Sequence, residues 1–370
     1  RIPVLVAPPL APFIGDELAL TQALTGALTT LPILMLAIGA MPGSLAISRI
    51  GPRNTLALAM VIMVIGSAGR GLVPDTFTLM IASAVMGLGV AMMQPALPAL
   101  LPRWLEPHHI ALGSAIYMNG MLMGEFIGAG ITLPVLMPLL DNSWRATVLA
   151  WSLPALLVVA ALFLPKRDLA RPARKAAWLP DWKNPLTLRL GLLLGLSGSM
   201  FFGLNAYMGN LLEQQGRIGL LSEALFWYNI AQVFASLVML KMARAWVGRR
   251  TFIVVMAVLS IAGTAGTLVL EGWWFIASAT LMSFVAGILL ILLVALPPLL
   301  VNSAETGRLS AGTFLVGYTM AFSVPMLGGL LADWTGDTRH AVMAMVAYSL
   351  LVLPLAFTLD LKRKKDQPAS

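Results

Sequence analysis

Apolar residues in this chain are gathered into long runs, and the polar residues between them fall in short clusters with glycine and proline. A helix needs about 20 mostly apolar residues to cross a hydrocarbon core ~30 Å thick. Measured against that length and against turn signals, the runs predict twelve helices. The first six cover residues 1–14, 18–41, 55–73, 77–101, 110–140 and 146–164. The other six cover 186–212, 220–242, 251–270, 273–300, 309–332 and 340–361. Between the two sets lies the polar, basic stretch "PKRDLARPARKAAWLPDWKN". The expected organisation is a six-helix bundle over 1–164, a basic cytoplasmic linker over 165–185, a second bundle over 186–361 and a basic cytoplasmic tail over 362–370. The first run is short and holds Pro3, Pro8, Pro9 and Pro12, which does not fit a cleaved signal peptide. The chain is therefore expected to start inside its first helix.

The halves echo each other. "ALPALL" at Ala96 recurs as "ALPPLL" at Ala295, "GPR" at Gly51 as "GRR" at Gly248, and Gly113 with Met121 as Gly312 with Met320. Short apolar matches arise by chance, but a nearly constant offset at three successive places points to a duplicated six-helix unit. Composition agrees with a chain embedded in lipid. Only 11% of residues are charged, against roughly 25% in soluble domains, and the mean hydropathy is +0.87. The net charge of +8 is a matter of topology rather than of nucleic-acid binding. Arg49, Arg53, Arg103, Lys166, Arg167, Lys241, Arg249, Arg250, Arg308 and the tail lysines fall on one side of the predicted spans. Arg145, Arg217 and Arg339 fall on the other. The positive-inside rule then puts both termini in the cytoplasm.

Little in the sequence supports catalysis. Cysteine is absent, and His108, His109 and His340 sit at predicted loops or helix ends. Glycine-rich stretches such as "GLGVAMM" follow no strand and precede no phosphate-binding lysine, so they read as helix-packing surfaces. Neither a cofactor nor a metal is expected, nor is an enzyme. Tryptophans near predicted ends, Trp104, Trp144, Trp178, Trp182, Trp246, Trp273, Trp274 and Trp334, read as interfacial anchors.

Charges inside the apolar runs are costly, roughly 2.5 to 3.5 kcal/mol each on insertion scales, and so mark function. If the first span ends near Ile14, Arg1 lies about 20 Å in from the outer face, close to the midplane. It then faces an aqueous cavity, where its paired donors suit a small planar anion; the alternative is a side chain that snorkels to the surface. Glu125 sits mid-span between Gly124 and Gly128. It can pair with Arg1, carry a proton, or stay protonated and bond a neighbouring helix. Arg70, at the outer end of the third span, is expected to form an ion pair with Asp75. Softer candidates are Gln94, Asn119, Asn205, Tyr207, Asn229, Gln232, Thr313 and Tyr318, with Gln94, Asn119 and Tyr207 favoured as hydrogen-bond partners of a substrate.

Two six-helix halves with a site at their interface are the arrangement of the major facilitators, and "SLAISRIGPRN" resembles that superfamily's loop between helices two and three. Arg49, Gly51 and Arg53 match the loop as gating and structural residues, while Ser48 stands where an aspartate is usual. "R-x7-PL" at Arg1, Pro9 and Leu10, "LTTLPIL" at Leu28, "GLGVAMMQPALPALL" at Gly87, "GAGITLPVL" at Gly128 and "RLSAGTFLVGYTMAFSVPMLGGLLADWTG" from Arg308 are similar to the cyanate transporter family, which includes nitroimidazole exporters. The resemblance implies a bacterial inner-membrane protein whose first-helix arginine faces the central cavity, and it matches Arg70 and Gln94 to family positions. Glu125 departs from it, a small residue being common there. The combined expectation is an all-α membrane protein of the major facilitator fold, with twelve transmembrane helices. It moves a small anion by alternating access, as a monomer, with Arg1 as anchor and protons as candidate co-substrates through Glu125. The rival is a proton-coupled exporter of neutral or cationic small molecules.

Overall fold

The computed structural model describes residues 1–106, 110–162, 182–301, 303–359 and 361. His108 and His109, most of the expected linker with Trp178, and the tail 362–370 lie outside the described residues. Among those described, regular structure is helical throughout. Eleven segments of the described residues are long and apolar enough to cross a membrane; the first helix is a further, shorter element.

That first helix, α1, comes in two pieces, Ile2–Leu5 and Ala7–Leu18, broken at Val6. Pro8 and Pro9 supply no N–H to the preceding turn, so a break there follows from the sequence. Next, Gln22–Arg70 is helical except at Gly51, whose φ of +80° divides it into α2 over 22–50 and α3 over 52–70. Then come α4 (Thr76–Trp104) and α5, which begins as Ile110–Phe126, widens to a π-helix over Ile127–Leu136 and closes with Met137–Leu139. Pro134 lacks a donor, and the Thr132 hydroxyl donates to the Gly128 carbonyl at 2.5 Å, so both disturb the ordinary ladder. The first half ends with α6 (Trp144–Leu162).

The second half contains α7 (Pro185–Gln214), α8 (Leu221–Trp246), α9 (Arg250–Val269) and α10 (Gly272–Val294, then Pro297–Leu300). It finishes with α11 (Ser303–Thr335) and α12 (Arg339–Val352, then Pro354–Phe357). Asn184 caps α7 by accepting from Leu186 N–H at 3.0 Å, with Pro185 in the first turn, a favourable start for a helix. α7 is buried along most of its length.

The sequence repeat has a structural counterpart. Gly51 and Gly248 both take φ +80°, a conformation that favours glycine. Two residues after each comes an arginine that reaches the end of its own half. Arg53 donates from Nε (3.1 Å) and Nη2 (2.5 Å) to the Leu162 carbonyl at the end of α6. Arg250 Nη2 donates to the Leu359 carbonyl just beyond α12 at 2.6 Å. A cation satisfying carbonyls at a helix C-terminus also complements the helix dipole. Arg53 is thus tied to its own half, and Arg49 is exposed.

Two expectations at the opposite face need correction. Arg70 makes no ion pair with Asp75. It is buried, and its Nη2 donates to the Pro3 carbonyl at 2.6 Å, in the first piece of α1. Asp75 instead caps α4 by accepting from Thr78 N–H at 2.8 Å, which holds its carboxyl below the usual range. Trp144 is not an exposed anchor either. It is buried and donates to Glu17, which also accepts from Arg145 at 2.7 Å. Trp182, Trp273, Trp274 and Trp334 are exposed.

At this face the two halves are clamped. Asp333, near the end of α11, accepts from the backbone N–H groups of Gln22 (2.6 Å) and Ala23 (2.9 Å) in the first turn of α2. Those donors have no partner within their own helix, and a carboxylate there complements the dipole. Below the clamp the Tyr207 hydroxyl lies against Gly26 of α2 and Gly329 of α11 while donating to the Pro325 carbonyl at 2.7 Å. Because the chain has no cysteine, a single Ser197→Cys is a clean reporter of the interior. Asp333→Ala is expected to speed its modification by an impermeant thiol reagent, added at this face, by roughly tenfold, the value of a lost charge-assisted bond. An unchanged rate would show that the clamp does not hold the halves together.

Candidate functional site

The site is assembled where α1 meets α5. Gly128 lets α5 approach the backbone so closely that a Cβ there would stand 2.5 Å from the Ile2 carbonyl oxygen; at Gly124 a Cβ would stand 3.4 Å from Arg1 Cβ. This small-residue seat brings Glu125 beside Arg1. Arg1 Nη1 lies 3.5 Å from Glu125 Oε1, and each side chain is 8% exposed. That separation is long for a charge-assisted hydrogen bond, which runs near 2.7–2.9 Å. Consistently, Arg1 Nη1 is buried without a hydrogen-bond partner. The pair attracts but does not saturate its own donors and acceptors.

Both side chains line a cavity of about 60 Å³ between the two halves. That exceeds the minimum of roughly 10–15 Å³ for one water, so there is room for a small molecule. The first half contributes Arg1, Glu125, Met121 and Leu122; the second half contributes residues of α7, α8, α10 and α11. Among the latter, Ser197, Gln232 and Tyr318 are polar, and Leu194, Phe201, Phe202 and Leu290 are not. The Ser197 hydroxyl donates to the Ala286 carbonyl at 2.9 Å, and the Gln232 amide to the Ser283 carbonyl at 2.8 Å. Tyr318 stacks on Phe314 with ring centroids 5.6 Å apart. Among the described residues, no group of three or more His, Cys, Asp or Glu could hold a metal ion.

The structure brings together four of the sequence candidates, Arg1, Glu125, Gln232 and Tyr318, and leaves the others off the cavity wall. Gln94 is half-buried on α4. Asn119 accepts from the Ser236 hydroxyl at 3.3 Å, bridging α5 to α8. Tyr207 is committed to Pro325 at the clamp. Asn205 and Asn229 bond each other at 3.2 Å between α7 and α8, and Thr313 is buried with its hydroxyl unpartnered. Ser197, Phe201 and Phe202 line the cavity without having stood out in the sequence. A serine or phenylalanine in an apolar run reads the same whether it faces a cavity, a neighbouring helix or lipid.

Comparison with known proteins agrees with this architecture. The family model described as Major Facilitator Superfamily matches residues 4–220. The cyanate transport protein CynX of Escherichia coli (strain K12) is 25% identical, over 94% of this chain and 91% of its own length. The 2-nitroimidazole transporter of the same organism is 26% identical, over 95% and 90%. Among solved structures, a bacterial homologue of the human lysosomal transporter Spinster superposes with a TM-score of 0.75 at 14% identity, covering 96% of this chain and 93% of that one. The inward-open xylose transporter XylE of Escherichia coli gives 0.74 at 12% identity, over 99% and 93%. With its paired helical halves and the cavity between them, the chain belongs to the Major Facilitator Superfamily and is a secondary transporter of a small molecule, embedded in the membrane as a multi-pass protein.

Proposed function

We propose that this transporter moves a small anion across the bacterial inner membrane by alternating access, with Arg1 as the anion anchor. The observation that carries the reading is Arg1 itself, a buried guanidinium that lines a cavity between the halves and whose Nη1 has no hydrogen-bond partner. A guanidinium inside the membrane is costly unless something completes it, and Glu125 at 3.5 Å does so only in part. An arriving anion completes it. Glu125 then becomes a competitor for the same cation, and two negative charges beside one guanidinium repel each other. Protonation of Glu125 relieves that conflict, so anion binding and proton uptake favour each other.

Anchor and competitor sit on the first half, and Gln232 and Tyr318 on the second, so a bound substrate bridges the two. Rocking of the halves exposes it alternately to either side. Asn119 belongs to this reading as a polar link between α5 and α8, and Gln94 as a residue that reaches substrate once the halves rock. Tyr207 enters as packing at the clamp and Arg70 as a support of α1. The basic face, with the Gly51 and Gly248 turns, is placed in the cytoplasm by the positive-inside rule. A monomer suffices because the cavity lies between the chain's own halves. The names of the cyanate and 2-nitroimidazole transporters, as relatives over nearly the whole chain, support a small substrate.

A second reading is favoured by the same Glu125. As a buried carboxylate in the cavity it suits a proton-coupled exporter of neutral or cationic molecules, with Arg1 only modulating it. Proteoliposomes loaded with a pH-sensitive dye separate the two. In wild type, an inward anion gradient is expected to acidify the lumen, and Glu125→Gln to abolish the acidification while leaving anion exchange. Proton movement driven only by neutral or cationic compounds, with Arg1 dispensable, would replace the anion reading by the exporter.

A further inference from the structure

Resting on the reading of Arg1 as anchor, we infer that the substrate is a short amphiphilic monoanion, a carboxylate with a short apolar body, rather than a symmetric inorganic anion. Few hydrogen-bond donors along the cavity wall are free. Ser197 spends its hydroxyl on the Ala286 carbonyl, and the Gln232 amide donates to the Ser283 carbonyl and, at 3.5 Å, to the Ser283 hydroxyl. Arg1 Nη1 is unbonded, and the Tyr318 hydroxyl makes no hydrogen bond to a described residue. Beyond those two groups the wall is largely hydrocarbon, with Phe202, Leu194 and Leu290 facing the space.

A symmetric oxyanion presents acceptors in every direction. Placed here, it keeps a bond on the Arg1 side and loses water against hydrocarbon on the other, a cost with no compensation. A carboxylate confines its acceptors to one end, and its carbon chain gains by leaving water. The wall that would receive the chain is braced, because Phe201, next to Phe202, stacks on Tyr228 with ring centroids 5.4 Å apart and the Tyr228 hydroxyl donates to the Phe201 carbonyl at 3.0 Å. Size sets the upper limit. A cavity of about 60 Å³ suits short chains such as acetate to butyrate better than long ones.

The test measures ligand-induced thermal stabilisation, and competition for uptake, with the full-length transporter at constant ionic strength. The ligands are formate, acetate, propionate, butyrate, hexanoate, nitrate, cyanate and butyramide; the proteins are wild type, Arg1→Gln and Phe202→Ala. Affinity is expected to rise about fourfold per methylene from acetate to butyrate and to fall at hexanoate. Nitrate and cyanate should bind more weakly than propionate, and butyramide should not compete. Phe202→Ala should flatten the chain-length trend, and Leu290→Ala serves the same purpose if that variant does not fold. Nitrate or cyanate binding as tightly as propionate, with all binding lost in Arg1→Gln, would overturn the carboxylate inference and leave the anchor standing. Carboxylates or butyramide binding equally well to Arg1→Gln would remove the anchor, and with it the inference built on it.

Discussion

Arg1→Gln is expected to lower kcat/KM for anion flux by roughly a hundredfold or more, the cost of removing one partner from a buried charge contact. Glutamine keeps donors and approximate length but not the charge or the forked geometry. Arg1→Lys keeps the charge as a point and should recover part of the activity. The loss must be separated from misfolding, because Glu125 without its cation is an isolated buried carboxylate and is itself destabilising. The double variant Arg1→Gln with Glu125→Gln removes both charges. It should therefore restore thermal stability while remaining inactive toward anions, a pattern that loss of a purely structural ion pair does not produce. Saturable anion flux of wild-type magnitude in Arg1→Gln would refute the anchor.

Arg1 and Glu125 stand out in the sequence because charge in lipid is expensive wherever it occurs, but pairing is only one of the roles the sequence leaves open to Glu125. Their neighbours were not legible to the same degree. Asn119 and Tyr207 are as polar in sequence as Gln232 and Tyr318, yet the first two are bonded away from the cavity while the others line it. Residue type reports that a polar group needs a partner, not which partner it finds. Arg70 shows the same gap more sharply. The nearby acid at Asp75 was the obvious candidate, but the partner is the Pro3 carbonyl of the broken first helix, a group created by the fold.

Helix positions were read well and helix ends less so. The second helix was expected to stop at residue 41, before Pro42 and Gly43, and instead continues to the Gly51 turn. Proline is tolerated inside membrane helices because neighbouring groups satisfy the freed carbonyls, so a stop rule taken from soluble proteins ends such helices early. The eleventh helix starts at Ser303 and ends at Thr335, beyond the expected 309–332. There the polar residues at each end resemble a loop in the sequence. The duplication was legible as short matches, but its meaning lay in Arg53 and Arg250, whose parallel roles at the ends of α6 and α12 need coordinates to be seen.

Gly128→Ala is expected to cut transport by roughly tenfold and to lower the melting temperature, whereas Gly124→Ala should change both little. The two glycines look alike in sequence, four residues apart on one face of α5. At Gly124 a Cβ would meet Arg1 Cβ and Ile2 N at 3.4 Å, ordinary contact. At Gly128 it would stand 2.5 Å from the Ile2 carbonyl oxygen and 3.3 Å from the Ile2 carbon, so backbone must move, and overpacking of this kind typically costs 1–3 kcal/mol. The backbone that moves is the residue after Arg1, so the shift changes where the guanidinium stands relative to Glu125 and the cavity. Substrate affinity should therefore fall further than stability alone explains, and an added Glu125→Gln should not recover it, since the fault lies in the position of Arg1. Equal effects of the two alanines on transport would show that the seat of α1 on α5 does not set the anchor's position, and that Arg1 is held in place by Arg70 and the proline-broken first helix alone.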